Sequence, residues 1–250
     1  MERAMIEEDL EIQAADGRAE AVLVHDGADR RRPAVLMLTD IGGPRAANRK
    51  LALRVAGRGY TVLVPNVFYR TSRLPLWDSP RRDMADEKTR QRFAALTAPL
   101  TPEAMARDGA AYLDFLAGHA AVAGGRMAVA GYCFTGAMAL RIAAALPDRI
   151  AAAASFHGGG LWTDTPASPH LVLPRVTARL YFGHAAEDRT MPAAAIAELD
   201  RALAAWGGRF ESEVYAGAHH GWTMEDSAAH NPAQAERAFD KLTELLAATL

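Results

Sequence analysis

The apolar positions of this chain fall in short unbroken runs separated by turns that carry glycine, proline or aspartate. Residues 34–38 (Ala-Val-Leu-Met-Leu), 60–65, 127–130, 150–156 and 179–184 are such runs, the pattern of strands buried on both faces. Stretches of helical spacing lie between them. Residues 48–58 close at Gly59, residues 136–146 stop at Pro147, residues 192–206 end at Gly207-Gly208, and residues 234–250 form a long amphipathic terminal segment. At the front of the chain two apolar segments flank Asp16-Gly17, a hairpin signal, and residues 210–215 alternate as a last strand. Strands alternating with helices of this length predict parallel crossovers, and hence an α/β fold.

Residues 66–102 break the pattern with Pro75, Pro80, Pro99 and Pro102 and with scattered arginines. A segment of this length in a compact domain predicts a partly helical cap beside a site. Thr101 as N-cap and Pro102 in the first helical position then start a helix that runs to about Ala117. No repeat, low-complexity linker or shift in composition divides the chain, so one domain over residues 1–250 is expected.

Composition narrows the classes of function. Half of the 250 residues are hydrophobic and 23% are charged, enough for a large core and too apolar for disorder. A formal net charge of −2 supplies no field for a polyanion, so nucleic acid is not an expected partner. No apolar run reaches the length of a membrane span, and the first ten residues are too acidic for a signal peptide, so a cytoplasmic protein is expected. Monomer and homodimer both remain open. A single cysteine excludes an internal disulfide and any multi-cysteine metal site. His25, His119 and His184 are scattered without ligand spacing, so neither a metal nor a cofactor is expected.

That cysteine stands in an informative place. Residues 128–130 lead through Gly131-Tyr132-Cys133-Phe134-Thr135-Gly136 into an alanine-rich helical pattern, which is how a strand, a sharp turn bearing a nucleophile and a helix are written. Asp188 and His220 follow, each just beyond a predicted strand. Thiol, carboxylate and imidazole have complementary tasks: the imidazole takes the nucleophile's proton, and the carboxylate fixes the tautomer and stabilises the imidazolium. Glu187 and His219 are the adjacent competitors, set aside on motif register. On such a scaffold a lone thiol could instead sense redox state, or the pocket could hold a ligand without turning it over.

With three motifs in this order, the sequence resembles the dienelactone hydrolase family of α/β-hydrolases. The motifs are Gly131-Tyr132-Cys133-Phe134-Thr135-Gly136, then Gly183-His184-Ala185-Ala186-Glu187-Asp188 with Met191-Pro192, then Tyr215-Ala216-Gly217-Ala218-His219-His220-Gly221-Trp222. The resemblance implies an α/β-hydrolase fold, with a mostly parallel central sheet and helices on both faces. It implies hydrolysis of a small carboxylic ester, lactone or thioester through an acyl-cysteine, with Cys133 as nucleophile, His220 as base and Asp188 as orienting acid. The backbone N–H groups of Phe134 and Ile41 would form the oxyanion hole. Asp40 stands where founding members carry a glutamate that pairs with the resting thiol, and Met224 where they carry an arginine that holds the substrate carboxylate. Candidate pocket residues beside Asp40 are Arg70, Arg81, Arg90, His157, Trp162 and Trp222.

Overall fold

The structure is a computed structural model that describes residues 4–27, 29–79 and 84–250. The chain forms two compact units, Met1–Gly124 and Gly125–Leu250. The Arg81 assignment lies outside the described residues.

In the first unit, β1 (Ile6–Ala14) and β2 (Gly17–His25) pair antiparallel, from Ala14 opposite Gly17 to Ile6 opposite His25. This is the hairpin expected at Asp16-Gly17. Its tight reversal places Gly17 at φ 145°, a conformation that only glycine adopts freely. The run at residues 34–38 yields β3 (Ala34–Met37), buried at every position, and β4 (Thr61–Pro65) lies parallel to it. Between them runs α1 (Ala46–Ala56), two residues earlier in the chain than its spacing predicts. Strand order in this unit is β1-β2-β4-β3.

The broken segment that follows contains α2 (Glu87–Thr97), whose N-cap Asp86 accepts a hydrogen bond from the Thr89 N–H. Next comes α3 (Pro102–Gly118), where Thr101 accepts from the Ala104 N–H and Pro102 occupies the first turn, as its sequence predicts.

The second unit is a run of parallel strands in sequence order: β5 (Met127–Tyr132), β6 (Ile150–Phe156), β7 (Arg179–Glu187) and β8 (Phe210–His219). Three helices and one short 3₁₀ helix connect or follow them: α4 (Thr135–Ala145), the 3₁₀ turn Pro169–Arg175, α5 (Ala193–Trp206) and α6 (Pro232–Ala247). β5 and β6 are buried along their whole length, which is why both read as unbroken apolar runs. β8 continues four residues beyond the expected Tyr215, pairing with β7 as far as Glu187 opposite His219 across a shift of register between Ala185 and Glu187. Parallel strands direct their C-terminal ends to one side, and ligands bind there in open α/β sheets. The chain segments leaving β5, β6, β7 and β8 are therefore where chemistry is to be sought.

Candidate active site

The turn after β5 is built around close backbone approach. A Cβ on Gly131 would sit 2.1 Å from the Thr135 carbonyl oxygen, and one on Gly136 would sit 2.2 Å from Ser155 Oγ. Both glycines are therefore required by packing. Thr135 begins α4, so it needs none of the conformational freedom of glycine. Its buried hydroxyl accepts from the Tyr132 N–H and donates to the Tyr132 carbonyl, both at 2.8 Å, which pins the end of the strand to the start of the helix. Cys133, between them, is forced to φ 61°. Only two non-glycine residues among those described have positive φ, Cys133 and His157. Such strain persists where surrounding structure overdetermines it, commonly at active sites.

Asp188 follows β7 and is buried. Its Oδ1 accepts from the N–H of Thr190 at 2.8 Å and from the hydroxyl of Thr190 at 2.6 Å, and its Oδ2 accepts from His220 Nδ1 at 2.6 Å. Burial works to raise the carboxyl's pKa, but these hydrogen bonds and the imidazolium beside it outweigh burial and hold it below the usual range. His220 follows β8 and turns Nε2 to Cys133 Sγ at 3.1 Å. Burial alone would lower its pKa, but the hydrogen bonds to Asp188 and to the Cys133 sulfur push it up to about 10. Cys133, Asp188 and His220 thus form one connected chain of hydrogen bonds.

The neighbours that compete with these residues in the sequence face elsewhere. His219 is exposed and pairs with Glu187 at 3.5 Å, the last residues of β8 and β7, whereas Asp188 and His220, just beyond the strands, pair with each other.

The remaining candidates are distributed as follows. His157 is buried, and its Nδ1 accepts from the Cys133 N–H at 3.0 Å. Trp222 is wholly buried, edge-on to His157 and tilted against Tyr215. Trp162 is half-buried and stacks on His170, with ring centres 6.0 Å apart. Phe134 precedes α4 as its N-cap. Met224, two residues beyond Trp222, is buried.

In the first unit, Asp40 accepts from Arg45 at 2.6 and 3.0 Å and from the Gly42 N–H at 2.9 Å. Ile41 beside it accepts from Trp77 Nε1 at 2.7 Å through its carbonyl oxygen. The donors of Arg70 go to Asp16 and Asp108, and Arg90 donates to the carbonyls of Met84 and Ala85.

Sequence spacing separates His25 from His119, yet the fold brings both to Glu8, with one polar atom from each within 4.8 Å of the others. This donor set does not fit a metal. His25 Nδ1 accepts from the Gly27 N–H and His119 Nδ1 from the Ala121 N–H. A metal on Nε2 requires Nδ1 to carry the proton and find an acceptor, and here each Nδ1 faces a donor. The cluster is a hydrogen-bonded histidine–carboxylate pair, with His25 Nε2 and Glu8 2.6 Å apart.

Sequence reasoning missed Thr190 and Thr223 as partners of the site. Thr190, two residues after an aspartate that ends a strand, is the position whose N–H such a carboxylate caps, and that signal was readable. Thr223 has no comparable local signal, because its partner His157 is 66 residues away.

A left-handed turn bearing a cysteine after a parallel strand, followed in chain order by an acid and a histidine beyond later strands, is the arrangement of an α/β-hydrolase. The solved structures agree on the fold: a dienelactone hydrolase candidate from Klebsiella pneumoniae superimposes with a TM-score of 0.86, covering 98% of this chain and 99% of the other at 20% identity. Residues 20–250 match the model of the dienelactone hydrolase family, and the chain belongs to that family. It is similar to the carboxymethylenebutenolidase of Rhodococcus opacus, 28% identical over 80% of this chain and 74% of that protein. It is also similar to that of Pseudomonas putida, 26% identical over 76% of this chain and 75% of that protein.

Proposed function

We propose that the protein hydrolyses a small carboxylic ester or lactone through an acyl-cysteine intermediate. The observation that carries this reading is His220, which has Nε2 at 3.1 Å from Cys133 Sγ and Nδ1 at 2.6 Å from Asp188. Membership of a hydrolase family and similarity to two carboxymethylenebutenolidases support the ester or lactone as substrate class. Thioesters share the same electrophilic carbonyl and fall within the same chemistry.

In this reading the Cys133 thiolate attacks the carbonyl carbon, forming the S–C bond and moving the carbonyl π electrons onto oxygen. The N–H of Phe134, the residue after the nucleophile, faces the developing oxyanion, as this fold's geometry calls for. Cys133 lies two residues before α4, where the helix dipole favours the negative sulfur. His220 as imidazolium gives its Nε2 proton to the departing alkoxide, and the C–O bond breaks. In a lactone the alkoxide remains tethered to the acyl chain.

The neutral His220 then takes a proton from water as its oxygen attacks the thioester carbonyl. Collapse expels the thiolate and restores the imidazolium, and the product leaves as the carboxylic acid. Asp188, capped by Thr190, keeps the proton of Nδ1 in place through both halves of the cycle.

A chromogenic acetyl ester tests the assignment. Wild-type protein is expected to release chromophore and to carry one acetyl group on Cys133 in a rapid-quench mass spectrum. Undiminished turnover in purified Cys133→Ala would overturn it.

A further inference from the structure

Beneath the nucleophile lies a second histidine that the reaction itself does not consume. His157 is 1% exposed and has φ 41°, the other left-handed non-glycine residue among those described. Its own N–H donates to the Gly183 carbonyl at 2.8 Å, anchoring the end of β6 to β7. Its ring reaches back to the elbow: Nδ1 accepts from the Cys133 N–H at 3.0 Å, and Nε2 lies 2.8 Å from Thr223 Oγ1.

These contacts settle the tautomer. A backbone N–H can only donate, so Nδ1 must present its lone pair, the proton must sit on Nε2, and the Thr223 hydroxyl oxygen must accept it. Thr223 lies three residues after His220, so a single ring ties the His220 loop to the Cys133 turn. The Cys133 N–H otherwise bonds only the Phe156 carbonyl, at 3.1 Å. A ring in this place must stay uncharged, since the edge of His220 faces it with centres 5.1 Å apart. Burial first, and then the positive charge of His220, hold its pKa well below the usual imidazole range, with Asp188 pulling weakly the other way.

We propose that His157 is a positioning residue for the nucleophile: as the Nε2–H tautomer fixed by Thr223, it gives the Cys133 N–H a neutral acceptor and so holds the sulfur against His220. This rests on the reading of Cys133 as nucleophile. The groups that face the ring are Tyr132 at the end of β5, Cys133 on the elbow, Asp188 after β7, and His220, Trp222 and Thr223 after β8.

The two ring nitrogens can be replaced separately. In His157→Asn the amide oxygen occupies the place of Nδ1 and keeps an acceptor for Cys133. In His157→Gln the longer amide reaches the place of Nε2 and keeps Thr223 but leaves the Cys133 N–H without the ring acceptor. His157→Phe keeps the ring and loses both. The readouts are kcat and KM on the chromogenic ester, and the pH dependence of Cys133 alkylation by iodoacetamide, which needs no ester turnover.

In His157→Phe and His157→Gln, kcat is expected to fall about 10- to 100-fold with KM within about twofold, the pattern of a misplaced reacting atom. Their alkylation is expected to slow at neutral pH, moving the profile, because a sulfur drawn away from His220 loses its counter-ion. His157→Asn is expected to stay close to wild type in both. Thr223→Val, at a half-buried position, is expected to shift the profile in the same direction by less and serves if the His157 variants do not fold. An unmoved profile in Thr223→Val or His157→Phe, or equal behaviour of His157→Asn and His157→Gln, would overturn the proposal. Full turnover in Cys133→Ala would instead overturn the nucleophile assignment, and the alkylation profile keeps the two failures apart.

Discussion

Arg70 holds the buried carboxylate of Asp108 with both ends of its guanidinium, at 2.6 and 2.8 Å. Asp108 is fully buried on α3, and Tyr69 adds a third donor to it at 2.8 Å. Sequence reading offered Arg70 as a pocket residue, and the fold gives its donors an internal carboxylate to bind. Removing one partner of a buried ion pair strands the other in a medium of low dielectric, at a cost of about 3–5 kcal/mol. Arg70→Ala is expected to lose about that much stability in urea unfolding while leaving KM for a neutral ester unchanged. A raised KM with unchanged stability would return Arg70 to the substrate.

Asp188→Asn tests the orienting role. The amide can present N–H where the carboxylate accepts, which favours the wrong tautomer of His220. A fall in kcat of about 100- to 10,000-fold is expected with the fold intact by circular dichroism. Loss of less than about tenfold would mean that Thr190, 3.3 Å from the same nitrogen, suffices.

The pH profile carries a sign. His220 is pushed up to about 10, so its imidazolium persists through neutral pH and is lost above that value. In the proposed reaction the imidazolium protonates the leaving group, so kcat/KM is expected to hold through pH 9 and to fall about tenfold per unit beyond about 10. A descending limb centred near 7 would contradict an imidazolium stabilised by Asp188 and Cys133.

His184 makes stability depend on acid. Burial pushes its pKa down to about 4 against the efforts of Asp200 and Asp188, and neither ring nitrogen has a hydrogen-bond partner among the described residues. Below about 6.5 the unfolded chain takes up a proton that the folded chain refuses until about 4. This contribution is therefore intact above pH 6.5 and is lost as pH falls to 4, about 3 kcal/mol in all. His184→Leu is expected to flatten that part of the stability curve, as read by denaturant midpoints between pH 4 and 7.

Thr135 opens α4 two residues after Cys133. Thr135→Val conserves shape but removes the hydroxyl that satisfies both polar groups of Tyr132. A loss of about 1–3 kcal/mol is expected, the cost of leaving buried polar groups unpaired. Thermal unfolding measures it directly.

What the sequence determined by itself is local. The runs at residues 34–38 and 150–156, the Asp16-Gly17 turn, the Thr101-Pro102 helix start and the glycines around Cys133 each write their own conformation, because backbone sterics and capping act within a few residues. The order Cys133, Asp188, His220 was legible along the chain, since the first two follow apolar runs and the third follows the last alternating segment. Boundaries were less so: β8 reaches His219 because it goes on pairing with β7 past a shift of register, a contact invisible along the chain.

Tertiary structure alone decided the partners. Arg70, Asp40 and His157 were read as facing a substrate, and folding gave them Asp108, Arg45 and the Cys133 N–H, residues 38, 5 and 24 positions away. Glu8, His25 and His119 likewise meet only because β1, β2 and the end of α3 do. A titratable side chain in a sequence shows which chemistry it can perform. Which neighbour takes up its hydrogen bonds depends on distances that exist only once the sheet has formed, and at Cys133 that neighbour is a histidine just past the end of the next strand.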